Sequence, residues 1–170
     1  MRNRQVNLTG RSVPAIVRGM RSILWLLTIS TAAWAQDLRV SPVHGSPNDE
    51  FRVEISLISP KGKAPSTLKW ETVFPAQLMD VVGDAPELGK AAKDSDKAIA
   101  CAKPKPYSIT CILYGGQKPL DNGVIATIHF KVHKDAKLGE TKVTVQKAEG
   151  VAGDLKQFNL KDAEGAVDIR

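Results

Sequence analysis

Val124-Ile125-Ala126-Thr127-Ile128-His129-Phe130-Lys131-Val132 follows the turn signal Asp121-Asn122-Gly123 and repeats with a period of two. A helix, with 3.6 residues per turn, would scatter Val124, Ala126, Ile128, Phe130 and Val132 around its circumference. A strand lines them up on one side, with Ile125, Thr127, His129, Lys131 and His133 on the other. The stretch therefore reads as a strand.

The same period recurs on both sides. Phe51, Val53, Ile55 and Leu57 alternate with Arg52, Glu54 and Ser56, as expected of a strand with one buried face. Leu68, Trp70, Thr72 and Phe74 alternate with Lys69, Glu71 and Val73. Shorter candidates are Leu38–Ser41, Met79–Val82, Ala98–Ala102, Ser108–Tyr114, Thr141–Lys147 and Gly165–Ile169. Between them lie Ser46-Pro47-Asn48-Asp49, Pro60-Lys61-Gly62, Gly115-Gly116 and Leu138-Gly139, where turn chemistry interrupts the alternation. About nine strands spaced in this way describe an all-β sandwich. The irregular stretch from Gly83 to Asp96 has room for one helical turn around Pro86-Glu87-Leu88, and Glu149 to Leu160 reads as a long loop before the last strand.

The beginning of the chain is different in kind. Its first 35 residues carry Arg2, Arg4, Arg11, Arg18 and Arg21 and no acid, then an apolar run of 11 residues from Ile23 to Ala33, then Ala33-Trp34-Ala35. This is the layout of a signal peptide, predicted to be cut between Ala35 and Gln36. A membrane anchor would need roughly 20 apolar residues, so no membrane span is expected in the mature chain. Met20-Arg21 would open a leader of more usual length, which makes Met20 a candidate start beside Met1. The expected organisation is a leader over residues 1–35 and one domain over residues 36–170. That domain is large enough for a true core. Localisation is expected to be periplasmic or extracellular.

Removing the leader changes the charge argument. Of 24 basic residues, five lie in the first 35, leaving 19 against 18 acids. The folded part is nearly neutral, without the excess of Lys and Arg that phosphate contacts require, and nucleic acid is excluded as a partner. The only two cysteines, Cys101 and Cys111, flank a segment with its turn residues in the middle. In an exported chain an even pair reads as a disulfide, here across a hairpin. Closing so short a loop contributes at most roughly 2–3 kcal/mol. A redox pair would more usually appear as Cys-x-x-Cys before a helix.

Several segments resemble the cohesin domain, the module that docks dockerins in cellulose-degrading assemblies. Ser46-Pro47-Asn48-Asp49 is similar to that family's Pro-Gly-Asp turn, with Asn48 where Gly is usual. Leu68 to Leu78 resembles its third strand and following turn, with Phe74-Pro75-Ala76 where the family often has Tyr-Asp-Pro. Asn122 to Val132, followed by Ala136-Lys137-Leu138-Gly139, resembles the seventh strand and its turn, and Glu164 to Ile169 the closing strand. The resemblance implies a nine-stranded jelly-roll β-sandwich in which strands 5, 6, 3 and 8 share a sheet, with Cys101 and Cys111 joining the fifth to the sixth. It also implies that the outward face of this sheet receives a protein partner, with Thr67, Lys69 and Glu71 presented from the third strand. Lys69 stands where many cohesins carry an acidic contact.

Other chemistries find less support. His129 and His133 would share a helical face, but on a strand they stand about 13 Å apart, too far to hold one metal ion. They read as solvent-facing strand residues, and His44 as a loop residue without a partner. Asp49-Glu50, Asp84 and Asp94-Ser95-Asp96 are oxygen ligands of the kind calcium uses, without the spacing of a calcium loop, and read as surface charge. No nucleophile elbow, zinc-protease motif or phosphate-binding loop is present, so neither enzyme activity nor a cofactor is expected. Direct carbohydrate binding is the main rival reading. Trp25 and Trp34 fall in the leader and Trp70 sits among core positions, leaving Tyr107, Tyr114 and Phe158 as dispersed aromatics. An envelope or adhesion assembly subunit is a third reading. The leading expectation is a non-catalytic module that binds a dockerin-like or envelope protein, with a possible link to polysaccharide degradation.

Overall fold

The computed structural model describes residues 36–170. The leader, the alternative start at Met20 and Ala35 on one side of the expected cleavage point lie outside the described residues; Gln36 lies within them. One sheet is built from β1 (Asp37–Val40), β3 (Glu50–Ile58), β9 (Gly123–Val132) and β5 (Met79–Val81), in that order, with β6 (Glu87–Leu88) also paired to β9. The other runs β2 (Val43–Gly45), β12 (Ala163–Ile169), β10 (Gly139–Val151), β4 (Thr67–Val73), β8 (Ser108–Tyr114) and β7 (Ala98–Lys105). A short strand β11 (Gln157–Asn159) pairs with the far end of β10. One helical turn, α1 (Lys90–Asp94), lies against β9.

The period-two runs explain the two layers. Val53, Ile55 and Leu57 of β3 and Ile128 and Phe130 of β9 are wholly buried, as are Leu68 and Trp70 of β4 and Ile109 and Leu113 of β8. Two apolar faces are thus pressed together, each large side chain contributing about 1.5–3 kcal/mol by leaving water. Phe130 is central, 5.7 Å from Phe51 in a stacked arrangement and 5.2 Å from Phe74 edge-on, geometries that suit the ring quadrupole. The expected sheet of strands 5, 6, 3 and 8 is present as β7, β8, β4 and β10, adjacent in that order. Asn48 occupies the left-handed region at φ 71, which Asn tolerates better than other non-Gly residues. It can therefore stand at the family's Gly position. The turn around it closes through Asp49 N–H to Ser46 C=O, 3.0 Å, and Ser46 N–H to the Asp49 carboxylate, 3.1 Å.

Four sequence expectations are corrected. First, twelve strands are present among the described residues rather than nine; the additions β2, β6 and β11 are two or three residues long and exist through the strands they join. Second, the helical turn falls at Lys90–Asp94, not around Pro86-Glu87-Leu88, where Glu87 and Leu88 pair with Thr127 and Ala126 instead. Third, the region from Glu149 is not one long loop: β10 continues to Val151, and β11 returns alongside it. Fourth, the alternation in β9 breaks at its start. Ile55 pairs with Ala126 and Ser56 with Val124, leaving Ile125 as the extra residue of a bulge. Ile125 is wholly buried and Val124 only half-buried, the reverse of strict alternation. Gly89 fits against this bulge. Its N–H donates to Ile125 C=O at 3.0 Å, and a Cβ there would fall 2.3 Å from the Val124 carbonyl oxygen.

The bulge makes a specific prediction. Ile125→Ala should cost about 2–5 kcal/mol in urea unfolding, as expected for a fully enclosed aliphatic side chain. Val124→Ala should cost clearly less, the opposite of the ranking that unbroken alternation would give.

Candidate functional site

The outward face of β7, β8, β4 and β10 follows from the register. Leu68, Trp70, Ile109, Cys111 and Leu113 point inward and are buried, so their neighbours point out. On β7 these are Ala98, Ala100 and Ala102, paired with Tyr114, Ile112 and Thr110 of β8. On β4 they are Thr67, Lys69 and Glu71, paired on the other side with Val151, Glu149 and Gln146 of β10. Ile112 and Tyr114 are 37% and 46% exposed, so the β7–β8 half is an apolar shelf. Two of the alanines leave low ground beside it, a depression of about 350 Å³ lined by Lys69, Ala100, Ala102, Thr110 and Ile112, together with the paired cysteines.

The β4–β10 half is charged. Lys69 Nζ lies 3.8 Å from Glu149 Oε2, with both side chains more than half exposed; such a pair adds little stability. Glu71 is different. Its side chain is 9% exposed, 2.7 Å from Lys147 Nζ, and accepts a hydrogen bond from Gln146 Nε2 at 3.1 Å. The bulge in β10 between Gln146 and Glu149 makes this possible. Lys147 takes φ 51 there, and the buried Ala148 occupies the inner side. The Lys147 ammonium first, and the Gln146 amide second, hold the Glu71 carboxyl at about 2 against the opposing effect of burial. Glu71 in turn raises the Lys147 ammonium above its ordinary value. Lys105 stands at the hairpin end of the face, 5.5 Å from the Tyr107 ring, with no carboxylate partner among the described residues.

The pattern of the whole chain decides the family: the cohesin domain model matches residues 37–169. The chain belongs to the cohesin domain family. No curated protein sequence matches it. Among solved structures, the sixth cohesin of scaffoldin B from Acetivibrio cellulolyticus, determined with a Cel5 dockerin, aligns with TM-score 0.70 and 17% identity, over 80% of this chain and 99% of its own. A type I cohesin–dockerin complex from Clostridium thermocellum gives TM-score 0.69 and 20% identity over 80% and 99%. A non-cellulosomal cohesin from the archaeon Archaeoglobus fulgidus gives TM-score 0.66 and 10% identity over 80% and 91%. At such identities the likeness shows the fold alone. Cohesin domains are a family of non-catalytic binding modules.

The structure of this cohesin places the sequence-read residues unevenly. Thr67 is half-buried and Lys69 exposed, while the Glu71 carboxylate lies beneath Lys147 and Gln146. Cys101 and Cys111 are directly opposed on β7 and β8 and form a disulfide, as an oxidising compartment allows. His129 and His133 stand on the outward side, as expected, but half-buried, with acids beside them on the neighbouring strands. His129 Nε2 lies 3.3 Å from Glu87, and His133 Nε2 lies 2.9 Å from Asp80. His44 is on β2, not in a loop, with Nδ1 3.5 Å from Asp168. No group of three or more metal-type ligands occurs among the described residues, and no helix there is long and apolar enough to cross a membrane. Sequence reasoning missed Ile112 and Lys147 as face residues. Ile112 was legible, since it falls between the inward Cys111 and Leu113. Lys147 was not, because its position depends on the bulge.

Glu71 should leave a pH signature. Its folded pKa of about 2 lies below the ordinary 4.5, so its stabilisation is fully present above 4.5 and is lost as the pH falls from there towards 2. Glu71→Gln, which strands Lys147, should destabilise by about 1–3 kcal/mol at pH 7. Denaturation from pH 7 to pH 2 should show wild type losing its advantage over this variant only in the acid range.

Proposed function

We propose that this chain is an exported, non-catalytic module that binds a dockerin-like protein partner on the outward face of β7, β8, β4 and β10. The observation that carries the reading is the exposed shelf of Ile112, Tyr114 and the β7 alanines beside Lys69, on the sheet whose strand order the family resemblance implies. Solved relatives in complex with dockerins support a protein partner, and the disulfide supports an oxidising compartment. Lys69 serves as a direct contact and Thr67 as its rim. Glu71 acts through Lys147 by fixing where that ammonium stands. With Lys69, Lys105 and Lys147 accessible and Glu71 covered, the face suits a partner that brings apolar side chains to the shelf and carboxylates to its β4–β10 side. A link to polysaccharide degradation would come through that partner.

Pull-down from secreted and envelope fractions should recover a dockerin-bearing protein. With that protein purified, Ile112→Asp should weaken binding by about tenfold or more, as truncation at the centre of an interface does. Lys131→Asp, on the other sheet, should leave affinity unchanged. Retention on soluble or insoluble glycans with no protein recovered would overturn the reading in favour of direct carbohydrate binding.

A further inference from the structure

A second surface lies where β11 flanks the end of β10. A groove of about 890 Å³ runs beside it, lined by Gln36, Lys63, Pro119, Lys156 and Phe158, with Gln157 and Asn159 of β11 along one wall. The hydrogen bonding of β11 shows what this wall offers. Leu160 N–H donates to Ala148 C=O at 2.8 Å, and Ala152 N–H to Lys156 C=O at 2.9 Å. In an antiparallel ladder bonded pairs alternate, so Gly150 and Phe158 bond to each other. The N–H and C=O of Gln157 and Asn159 therefore point away from β10. β11 pairs with no other strand among the described residues, and β2 covers only the Val167–Ile169 end of β12 on that side of the sheet. Two main-chain donors and two acceptors, spaced as a strand spaces them, stand open beside the groove.

The side chains around it add a chemical character. Phe158 lies over Gly150, where its ring would be 2.4 Å from an added Cβ, and it also lines the groove. Lys63, Lys156 and Lys161 face one acid, Asp154, which is already 2.8 Å from Lys156. Between the lining residues Asp154 and Lys156, Leu155 is 82% exposed and sits at φ 64, a left-handed conformation that costs a non-Gly residue about 1–2 kcal/mol. Its N–H bond to Ala152 C=O, 3.0 Å, holds it in that turn.

We propose that this groove takes an extended acidic segment of a partner protein, added as a strand to the open edge of β11. Its main chain pairs with Gln157 and Asn159, its apolar side chains meet Phe158 and Leu155, and its carboxylates meet the lysines. Strand addition is an established mode of peptide capture. The alternate open donors and acceptors favour a peptide over a sugar, which has no matching repeat. The site stands independently of the proposed partner face.

The test titrates the isotope-labelled protein with the blocked peptide acetyl-Asp-Val-Glu-Val-Asp-amide. Saturable shifts of the Gln157 and Asn159 amides, with slowed hydrogen exchange at both, are expected. Replacing the peptide's acids by Lys should weaken binding about tenfold or more. Asn159→Pro removes a donor that β10 does not use, a place where an edge strand accepts proline, and should weaken it comparably with the melting temperature unchanged. Should that variant unfold, the Lys156→Glu, Lys161→Glu pair reads the same site through charge. No saturable response of the two amides at millimolar peptide overturns the proposal. So does a response to hexagalacturonate without one to the peptide, which would make the groove a glycan site.

Discussion

Strand β4 carries the constraint from which both the core and the proposed binding face follow. Trp70 is wholly buried at its middle, and because side chains alternate, Lys69 and Glu71 must then point outward. A slip of one residue would bury the charges and expose the indole. β4 is held against it from both sides, by β8 from Leu68 to Val73 and by β10 from Thr67 to Val73. The arrangement is not free of cost. The indole N–H of Trp70 has no hydrogen-bond partner among the described residues, a penalty of about 1–3 kcal/mol. The burial of so large a side chain must exceed it.

The β10 bulge turns that constraint into a site. An extra residue in one strand breaks the ladder, and here it leaves Lys147 at φ 51 above Glu71 while Ala148 drops into the core. The result is a carboxylate that is charged at any physiological pH yet hardly accessible, and an ammonium that is accessible but fixed. A partner docked on this face, as proposed, would therefore meet a positive group at a set place. The disulfide acts on the other side of the face. β7 is the edge of its sheet, and edge strands fray or pair with foreign chains. Joining Cys101 to Cys111 ties that edge to β8 and keeps the alanine row level with Ile112 and Tyr114.

Much of this is legible in the amino-acid sequence, and the reasons differ from element to element. Period two announced β3, β4 and most of β9, because one buried face needs nothing more than alternation. The cysteine hairpin followed from turn residues midway between Cys101 and Cys111. The partner sheet came only through the family resemblance, since strand order across a sandwich is set by contacts distant in sequence. What escaped was fixed by neighbours rather than by composition. Ile125 is an ordinary strand residue, and only its opposition to the Ile55–Ser56 step makes it a bulge. Glu149-Gly150-Val151 reads as loop in the sequence, too short a run to show a period. It is strand because β4 and β11 pair with it on its two edges, and Gly150 leaves room for the Phe158 ring. His44, Glu87 and Leu88 belong to elements too short to carry a period at all.

Electrostatics sets the scale on which either surface can act. With 19 basic and 18 acidic residues from Gln36 onward, the folded part has almost no net field to steer a partner from afar. Screening would limit one to about 8 Å at physiological ionic strength in any case. Selectivity must then be local. Most exposed charges on the sheet bearing the proposed partner face are in pairs, such as Lys69 with Glu149 and Lys142 with Glu164. Three cations without an ion-pair partner among the described residues stand beside apolar ground: Lys105 by Tyr107 at the hairpin, and Lys63 and Lys161 by Phe158 in the groove. An acid brought to either place by a partner also brings apolar surface out of water. On the two proposed bindings, the apolar burial at Ile112, Tyr114 or Phe158 would supply the larger share of affinity, and the lysines would decide which partner is accepted.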